Sequence, residues 1–373
     1  MELPAIIESA LREELASISI TTLKQAVSEL SEQYRGNTPE KRAGYQSAHH
    51  RLAYLAVRFP ATFAANIKVL TELLRLRDIE SSNFYPSSKP PTIESILDLG
   101  AGPGTAALAA WTLFPEATNI TLIERDPEMI KIGIRLQSHL PKIGSPWIWQ
   151  TEDLLEFAKS NRHIPNSYAT PVKADLVIAS YCLGELPKQS LTELINFTLS
   201  SANKFVAFIE PGTPEGFSSI NYIRDQLLSS AEWSIVAPCT HSNLCPLNKP
   251  RSEEDPQKWC HFPARLNRTN LHQLVKQGSL SYEDEKFSYL IVGRSEYVPA
   301  HRSDQKDDQL IPARIIGHPR HQKGLVRLDL CTRSGQASTL TVSKREKRYY
   351  KESKKKGWGE LLLGNTLVDD MPE

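Results

Sequence analysis

The chain has 373 residues, 40% of them hydrophobic, with a formal net charge of +1 and five cysteines. That length bounds it to two or three domains, and the composition excludes a disordered or fibrous chain. No apolar run approaches the ~20 residues a membrane helix needs, so no membrane partner is expected.

The first residues, Met1-Glu2-Leu3-Pro4-Ala5-Ile6-Ile7-Glu8, carry early acids and no basic stretch. They lack the marks of a secretory or mitochondrial leader, which makes a cytoplasmic, bacterial protein the expectation. Thiols stay reduced there, so clustered cysteines point to a metal rather than to disulfides.

Apolar residues at three- and four-residue spacing predict helices over Ala5–Leu15, Thr21–Tyr34 and Ala48–Leu76, an N-terminal helical region of residues 1–80. Pro60 should break or restart the third helix, because its nitrogen has no hydrogen to donate. A Ser/Pro linker, Ser81–Thr92, follows.

From Ile93 short apolar runs alternate with helical stretches. Strands are predicted at Ser95–Leu99, Asn119–Ile123, Pro146–Trp149, Ala174–Ser180, Phe205–Ile209, Trp233–Ala237 and Phe287–Gly293. Helices fall between most of them, at Thr105–Leu113, Pro127–His139, Asp153–Ser160, Gln189–Leu199 and Ser218–Leu228. The alternation predicts an α/β fold with a mainly parallel seven-stranded sheet over residues 93–298, its last two strands an antiparallel edge pair. A cysteine-bearing insertion, 238–262, and a helix at Leu271–Gln277 lie between those two strands. After a polar linker, Pro299–Gln309, three short strands (Ala313–Ile316, Gly324–Leu330, Ala337–Val342) and a basic stretch, Ser343–Gly357, make a small C-terminal β unit of residues 311–358, with 359–373 as a tail.

Leu97-Asp98-Leu99-Gly100-Ala101-Gly102-Pro103-Gly104-Thr105 leaves a strand and opens a helix. Glycines suit a backbone that turns tightly and admits a ligand where a Cβ would stand. A dinucleotide site wants a Gly or Ala one residue beyond Gly104, where Thr105 stands, so NAD is disfavoured and S-adenosylmethionine is the expected ligand. Asp98 is placed for its amino-acid end, Glu124 for the ribose hydroxyls and Asp153 for the adenine amino group. Ser180 ends the fourth strand, where the cleft of such a sheet opens, and Glu210-Pro211-Gly212, ending the fifth, either lines the same cleft or is a turn. The other reading is a domain that keeps the loop and binds nothing. Cys182 reads as a buried small hydrophobe rather than a nucleophile, and no catalytic residue is assigned.

Pro238-Cys239-Thr240-His241-Ser242-Asn243-Leu244-Cys245-Pro246 has neither helical nor strand periodicity. Cys260 follows after 14 intervening residues and Cys331 after another 70. The wide spacing, with no Cys-x-x-Cys, leans towards an iron–sulfur cluster on Cys239, Cys245, Cys260 and Cys331. Two alternatives stay open: zinc, with His241 or His261 replacing a sulfur, and unliganded cysteines.

Residues 311–358 hold thirteen Lys or Arg against three acids, a net of +10 that leaves the remainder at −9. Such asymmetry reads as a footprint for nucleic acid, or as a solvated basic tail. Lys344, Arg345, Lys347, Arg348, Lys351, Lys354, Lys355 and Lys356 are the candidate phosphate contacts. Tyr349, Tyr350 and Trp358 either stack on bases or pack the stretch onto the β unit.

As a set these segments resemble a known family, the methyltransferase-like small-ribosomal-subunit assembly proteins of mitochondria and bacteria. The likeness rests on Tyr54-Leu55-Ala56-Val57-Arg58-Phe59-Pro60-Ala61-Thr62, the glycine loop, Ser180-Tyr181-Cys182-Leu183-Gly184-Glu185-Leu186 and Glu210-Pro211-Gly212-Thr213-Pro214. It continues through the cysteine segment, Trp259-Cys260-His261-Phe262 and the basic run ending Gly357-Trp358-Gly359. The resemblance implies a class I S-adenosylmethionine-dependent methyltransferase fold, a [4Fe–4S] cluster on the four named cysteines, and binding to small-subunit rRNA and ribosomal particles by a protein that is monomeric away from them. An active rRNA methyltransferase is the alternative function, and a protein or small-molecule methyltransferase with structural zinc is a further one.

Overall fold

A computed structural model describes residues 1–35, 47–81, 92–141, 147–161, 172–248, 258–276, 278–298 and 313–362. Most of both expected linkers, most of the tail and most of the charged segment between Cys245 and Cys260 lie outside the described residues.

The N-terminal helices are α1 (Ala5–Glu14), α2 (Ile20–Arg35), α3 (Ala48–Ala53) and α4 (Phe59–Ser81). Pro60 stands in the first turn of α4, where the third predicted helix restarts after a π turn rather than breaking off. A single π turn, Tyr54–Arg58, joins α3 to α4, and the Phe59 N–H reaches back five residues to the Tyr54 carbonyl. The wider turn absorbs the residue whose hydrogen bond the proline cannot make.

The alternating region forms β1 (Ser95–Leu99), α5 (Thr105–Leu113), β2 (Asn119–Glu124), α6 (Pro127–Ser138), β3 (Ile148–Thr151), α7 (Leu154–Ser160), β4 (Ala174–Ser180), α8 (Leu191–Ser201) and β5 (Ala202–Pro211). Then come α9 (Pro214–Leu227), β6 (Trp233–Ala237), β7 (Phe262–Asn267), α10 (Asn270–Lys276) and β8 (Tyr282–Arg294). The strand order is β3-β2-β1-β4-β5-β8-β6, with β7 as an additional strand on β8. Strands β1 to β5 run parallel and β6 runs antiparallel to β8. The chain therefore has the class I methyltransferase fold, with the order reversing between β1 and β4, where ligands of open α/β sheets bind. β6, not β8, is the outer member of the antiparallel pair.

A second, antiparallel sheet comprises β9 (Ala313–Ile315), β10 (Arg320–Gln322), β11 (Leu325–Cys331), β12 (Ala337–Ser343) and β13 (Leu361–Leu362). The basic stretch is helical only over α11 (Lys347–Ser353). Its Tyr349 and Tyr350 pack on the apolar face made by Ile315, Val326, Leu328, Leu330 and Val342, so packing rather than base stacking occupies these two rings.

The chain divides into two compact units. The first comprises Met1–Thr71, Pro91–Ile209 and Ala264–Glu285; the second comprises Glu72–Pro90, Glu210–Pro263 and Lys286–Glu373. In the first unit the N-terminal helices bear directly on the glycine-loop region. Arg51 grips Asp126 at 2.8 and 3.1 Å, and Asp126 caps α6 through the Glu128 N–H. In the second, the buried Arg314 of β9 donates to the Pro238 carbonyl (2.8 Å), the Gly359 carbonyl (2.9 Å) and the Glu72 carboxylate (2.9 and 3.3 Å). These bonds tie the start of the cysteine segment to the small sheet. Arg314 thus belongs to the interior, not to the basic surface the sequence suggested.

Candidate functional site

The glycine loop lies wholly in the first unit. Gly100, Gly102 and Gly104 all have positive φ, at 69°, 54° and 81°. Their reasons differ. A Cβ on Gly100 would stand 2.8 Å from Cys182 Cβ, and one on Gly104 would stand 3.2 Å from Leu122 and Trp149. Nothing lies within 4 Å of the Cβ position at Gly102. Packing therefore accounts for two glycines, while Gly102 leaves an opening that fits a ligand approaching the backbone. Cys182 is buried against Gly100, as a small hydrophobe.

The acids hold this loop in shape. Asp98 is buried, and one carboxylate oxygen accepts from the Ala107 N–H at 2.9 Å, in the first turn of α5. Glu124 accepts from the Gly102 N–H and the Asp126 N–H, each at 2.8 Å. Asp153 caps α7 by accepting from Leu155 N–H at 2.9 Å. Each of the three thus engages the backbone. Of the three, Glu124 is the one bonded to the open Gly102. Ser180 ends β4 with a buried hydroxyl that lacks a hydrogen-bond partner among the described residues.

Three neighbours of this site went unassigned in the sequence. Tyr181 has φ 59°, a conformation that costs a bulky residue about 1–2 kcal/mol. Its hydroxyl donates to Glu285 at 3.0 Å, and Arg58 grips Glu285 with two bonds of 3.0 Å. Arg58 comes from the π turn, so the segment carrying Tyr54 and Arg58 holds the strand-end strain in place. The Tyr-x3-Arg spacing before Pro60 is the sequence signal that could have found it.

Burial raises the Asp98 carboxyl to about 7, against the Ala107 hydrogen bond and with a further push from the Glu124 charge. An unfolded aspartate titrates near 3.8. Between those values the folded chain keeps a proton that the unfolded chain has lost, so stability falls as pH rises across that window. Asp98→Asn keeps an acceptor for Ala107 and removes the titration. Thermal unfolding is expected to show the variant gaining on the wild type as pH climbs from about 5 to about 8.

The four candidate metal-binding cysteines all lie in the second unit, and none of the five cysteines is in a disulfide. The Cys260 thiol is raised well above its ordinary value by burial first, then by Cys239, Cys245 and Cys331. Burial, then Cys239 and Cys245, push Cys331 up to about 12. The four sulfurs are thus within electrostatic reach of one another. Trp259 donates to the Gly212 carbonyl at 2.9 Å and Ser288 to the Cys260 carbonyl at 2.8 Å, which fixes the Cys260 segment. Asn243 donates to the Ser334 carbonyl at 2.8 Å, which fixes the Cys239–Cys245 loop against the turn after Cys331.

Among the described residues no group of three or more His, Cys, Asp or Glu side chains stands ready to hold a single metal ion. A zinc ion draws four ligands to about 2.0–2.3 Å of one point. A cubane makes a different demand, since its cysteines bind separate irons. Of the two candidate histidines, His241 has both ring nitrogens engaged, whereas His261 is held through Nδ1 alone among the described residues. His241 Nδ1 accepts from the Asn243 N–H at 3.1 Å, which leaves the Nε2 hydrogen facing Cys331 Sγ at 3.3 Å. His261 Nδ1 meets the Trp259 carbonyl at 3.0 Å.

Arg224 provides the fit test. It is 3% exposed, and its Nε donates to Cys239 Sγ at 3.3 Å. Its Nη1 is buried without a hydrogen bond among the described residues, 3.8 Å from the Asp225 carboxylate. A buried guanidinium so poorly paired calls for negative charge nearby, and four thiolates carrying a cluster fit that demand. Sequence reasoning missed Arg224, yet it falls on the apolar stripe Phe217, Ile220, Asn221, Arg224, Leu227 of α9, where a charge is out of place.

The candidate RNA contacts gather around β12 and α11. Lys344, Arg345, Lys347, Arg348, Lys351, Lys354 and Lys355 are exposed and Lys356 is half-buried. Trp358 packs edge-on against His261 and His318, with ring centroids 4.8 and 4.7 Å apart.

A family model described as mitochondrial small ribosomal subunit Rsm22 matches residues 48–363. The chain belongs to the Rsm22 family. Human ribosome assembly protein METTL17, mitochondrial, is 25% identical over 323 residues, covering 83% of this chain and 62% of that protein. The Rsm22-cox11 tandem protein 2, mitochondrial, of Schizosaccharomyces pombe is 26% identical over 344 residues, covering 83% of this chain and 43% of that protein. The chain therefore spans about half the length of these Rsm22 relatives. A solved magnesium protoporphyrin IX methyltransferase from Synechocystis with bound SAM aligns at a TM-score of 0.35 and 12% identity, over 71% of this chain and 90% of that one. The fold assignment rests on strand order, not on that likeness.

Rsm22 membership corrects the expected localisation. The family and both relatives are mitochondrial, which overturns the cytoplasmic, bacterial reading. That reading leaned on the first eight residues, and targeting segments are removable addresses that the fold does not encode.

Proposed function

We propose that this chain serves assembly of the small ribosomal subunit as an rRNA-binding protein, with S-adenosylmethionine in the first unit and a [4Fe–4S] cluster in the second. The observation that carries the reading is the run of seven exposed cations on β12, α11 and their flanks, in a chain of the Rsm22 family. Phosphates are the natural partners of such a run, and the grip should weaken steeply with salt. The human relative is named a ribosome assembly protein, which supports the same partner here. Cys239, Cys245, Cys260 and Cys331 would hold the cluster, which would fasten the cysteine segment to β11. Filter binding of small-subunit rRNA across a salt series tests the reading. A steep negative slope of log affinity against log salt is expected, and a flat one would contradict it.

Methylation of rRNA is the second reading, supported by the open Gly102 and the strained Tyr181 beside the buried Ser180 hydroxyl. Gly102→Ala tests the cofactor part. The positive φ costs the alanine about 1 kcal/mol of stability. Its methyl enters the opening, so S-adenosylmethionine affinity by calorimetry is expected to fall about tenfold or more, a change worth about 1.4 kcal/mol. Unchanged affinity would remove the cofactor from this loop.

A further inference from the structure

Two N–H groups point at cysteine sulfurs from side chains that the ligand set does not include. Arg224 Nε lies 3.3 Å from Cys239 Sγ, and His241 Nε2 lies 3.3 Å from Cys331 Sγ. Both side chains are buried, at 3% and 5% exposure. Each is also fixed by its other contacts. Arg224 Nη2 donates to the carbonyls of His241 and Asn243, and His241 Nδ1 accepts from Asn243. The two donors are therefore linked through one short loop and reach two different sulfurs.

We infer that Arg224 and His241 set the reduction potential of the group bound by the four cysteines, with Arg224 as its buried counter-charge. The inference rests on the cluster reading above. Four thiolates around a [4Fe–4S]²⁺ core carry a net charge of −2, and uptake of one electron, giving [4Fe–4S]¹⁺, takes it to −3. A fixed cation and N–H donors at the sulfurs favour the more negative state and so raise the potential. Arg224 suits this role better than Arg314, the other buried arginine here. Arg314 is neutralised by Glu72 at 2.9 Å, whereas Arg224 meets Asp225 only at 3.8 Å. Arg224 and His241 are positioning residues in this account; neither supplies a ligand.

The test uses the full chain reconstituted anaerobically with iron and sulfide, then titrated with dithionite under spectroscopic control. Arg224→Met is expected to move the one-electron midpoint to a more negative potential. Arg224→Lys, which keeps the charge and loses the planar donor, should fall between Met and wild type. His241→Phe should shift the midpoint in the same direction by less than Arg224→Met. Cluster loss to a chelator should quicken about tenfold in Arg224→Met, the scale of one hydrogen bond to a charged group. A chain that keeps its cluster in Lys but not in Met also sustains the inference. A midpoint and a loss rate equal to wild type in both Arg224 variants would overturn it. A wild type that takes up no iron would instead overturn the cluster reading beneath it.

Discussion

Cys260→Ser is expected to abolish the visible absorption of the anaerobically purified protein and to unfold much of the second unit. Burial first, and then all three other cysteines, raise the Cys260 thiol, so it lies within electrostatic reach of each of them. Its segment is clamped by Trp259 on Gly212 and by Ser288 on the Cys260 carbonyl. If the four cysteines hold a cluster as proposed, a serine there would leave one iron without its thiolate. Because the unfolded chain offers no preformed site, the affinity of the proposed cluster would be folding free energy, and its loss would remove stability from every element it would join. Those elements are the loop after β6, the segment before β7 and the end of β11. Cys331→Ser should behave alike. Cys182→Ser is the control: its sulfur packs on Gly100 in the first unit, and the colour should stay. Iron and acid-labile sulfide in equal amounts in wild type, and neither in Cys260→Ser, is the expected analysis. A colourless wild type with stoichiometric zinc would reject the cluster.

The second large effect belongs to the basic face. Arg348→Gln, Lys351→Gln and Lys354→Gln combined remove three exposed cations on and beside α11. The helix keeps its anchorage, because Tyr349 and Tyr350 still pack on the small sheet. If each cation meets a phosphate, the triple variant should lower the salt slope by about three and rRNA affinity about a hundredfold at physiological salt. An unchanged slope would reduce this stretch to a solvated surface. Arg314 is the wrong residue for such a test, since it is buried and its loss would strip Glu72 of one of its two arginine partners, leaving Arg75 alone.

Much of this was legible in the sequence because local chemistry and fold agreed. The loop from Asp98 to Thr105 announced a strand, a tight glycine turn and a helix, and the structure builds them from those residues. The strands of the parallel sheet were apolar enough to be read in order. β7 was missed because Pro263 disguises a strand whose burial alternates along Phe262–Asn267. β10 is three exposed residues and β13 is two, so neither carries a pattern. The acids at the glycine loop were found, but not their engagement with backbone N–H groups, which depends on chain turns no periodicity encodes. Arg58, Tyr181 and Glu285 were missed for a related reason: they lie 104 and 227 residues apart in their hydrogen-bond pairings. The compartment was misread because an address is not part of the fold.

Sedimentation tests the central claim most directly. The tagged chain, expressed in mitochondria, is followed through a sucrose gradient of the ribosomal particles at low and at high salt. The account predicts that it travels with small-subunit particles at low salt and leaves them at high salt, and that the triple basic variant stays at the top in both. A wild-type chain that never enters the small-subunit fractions would contradict it.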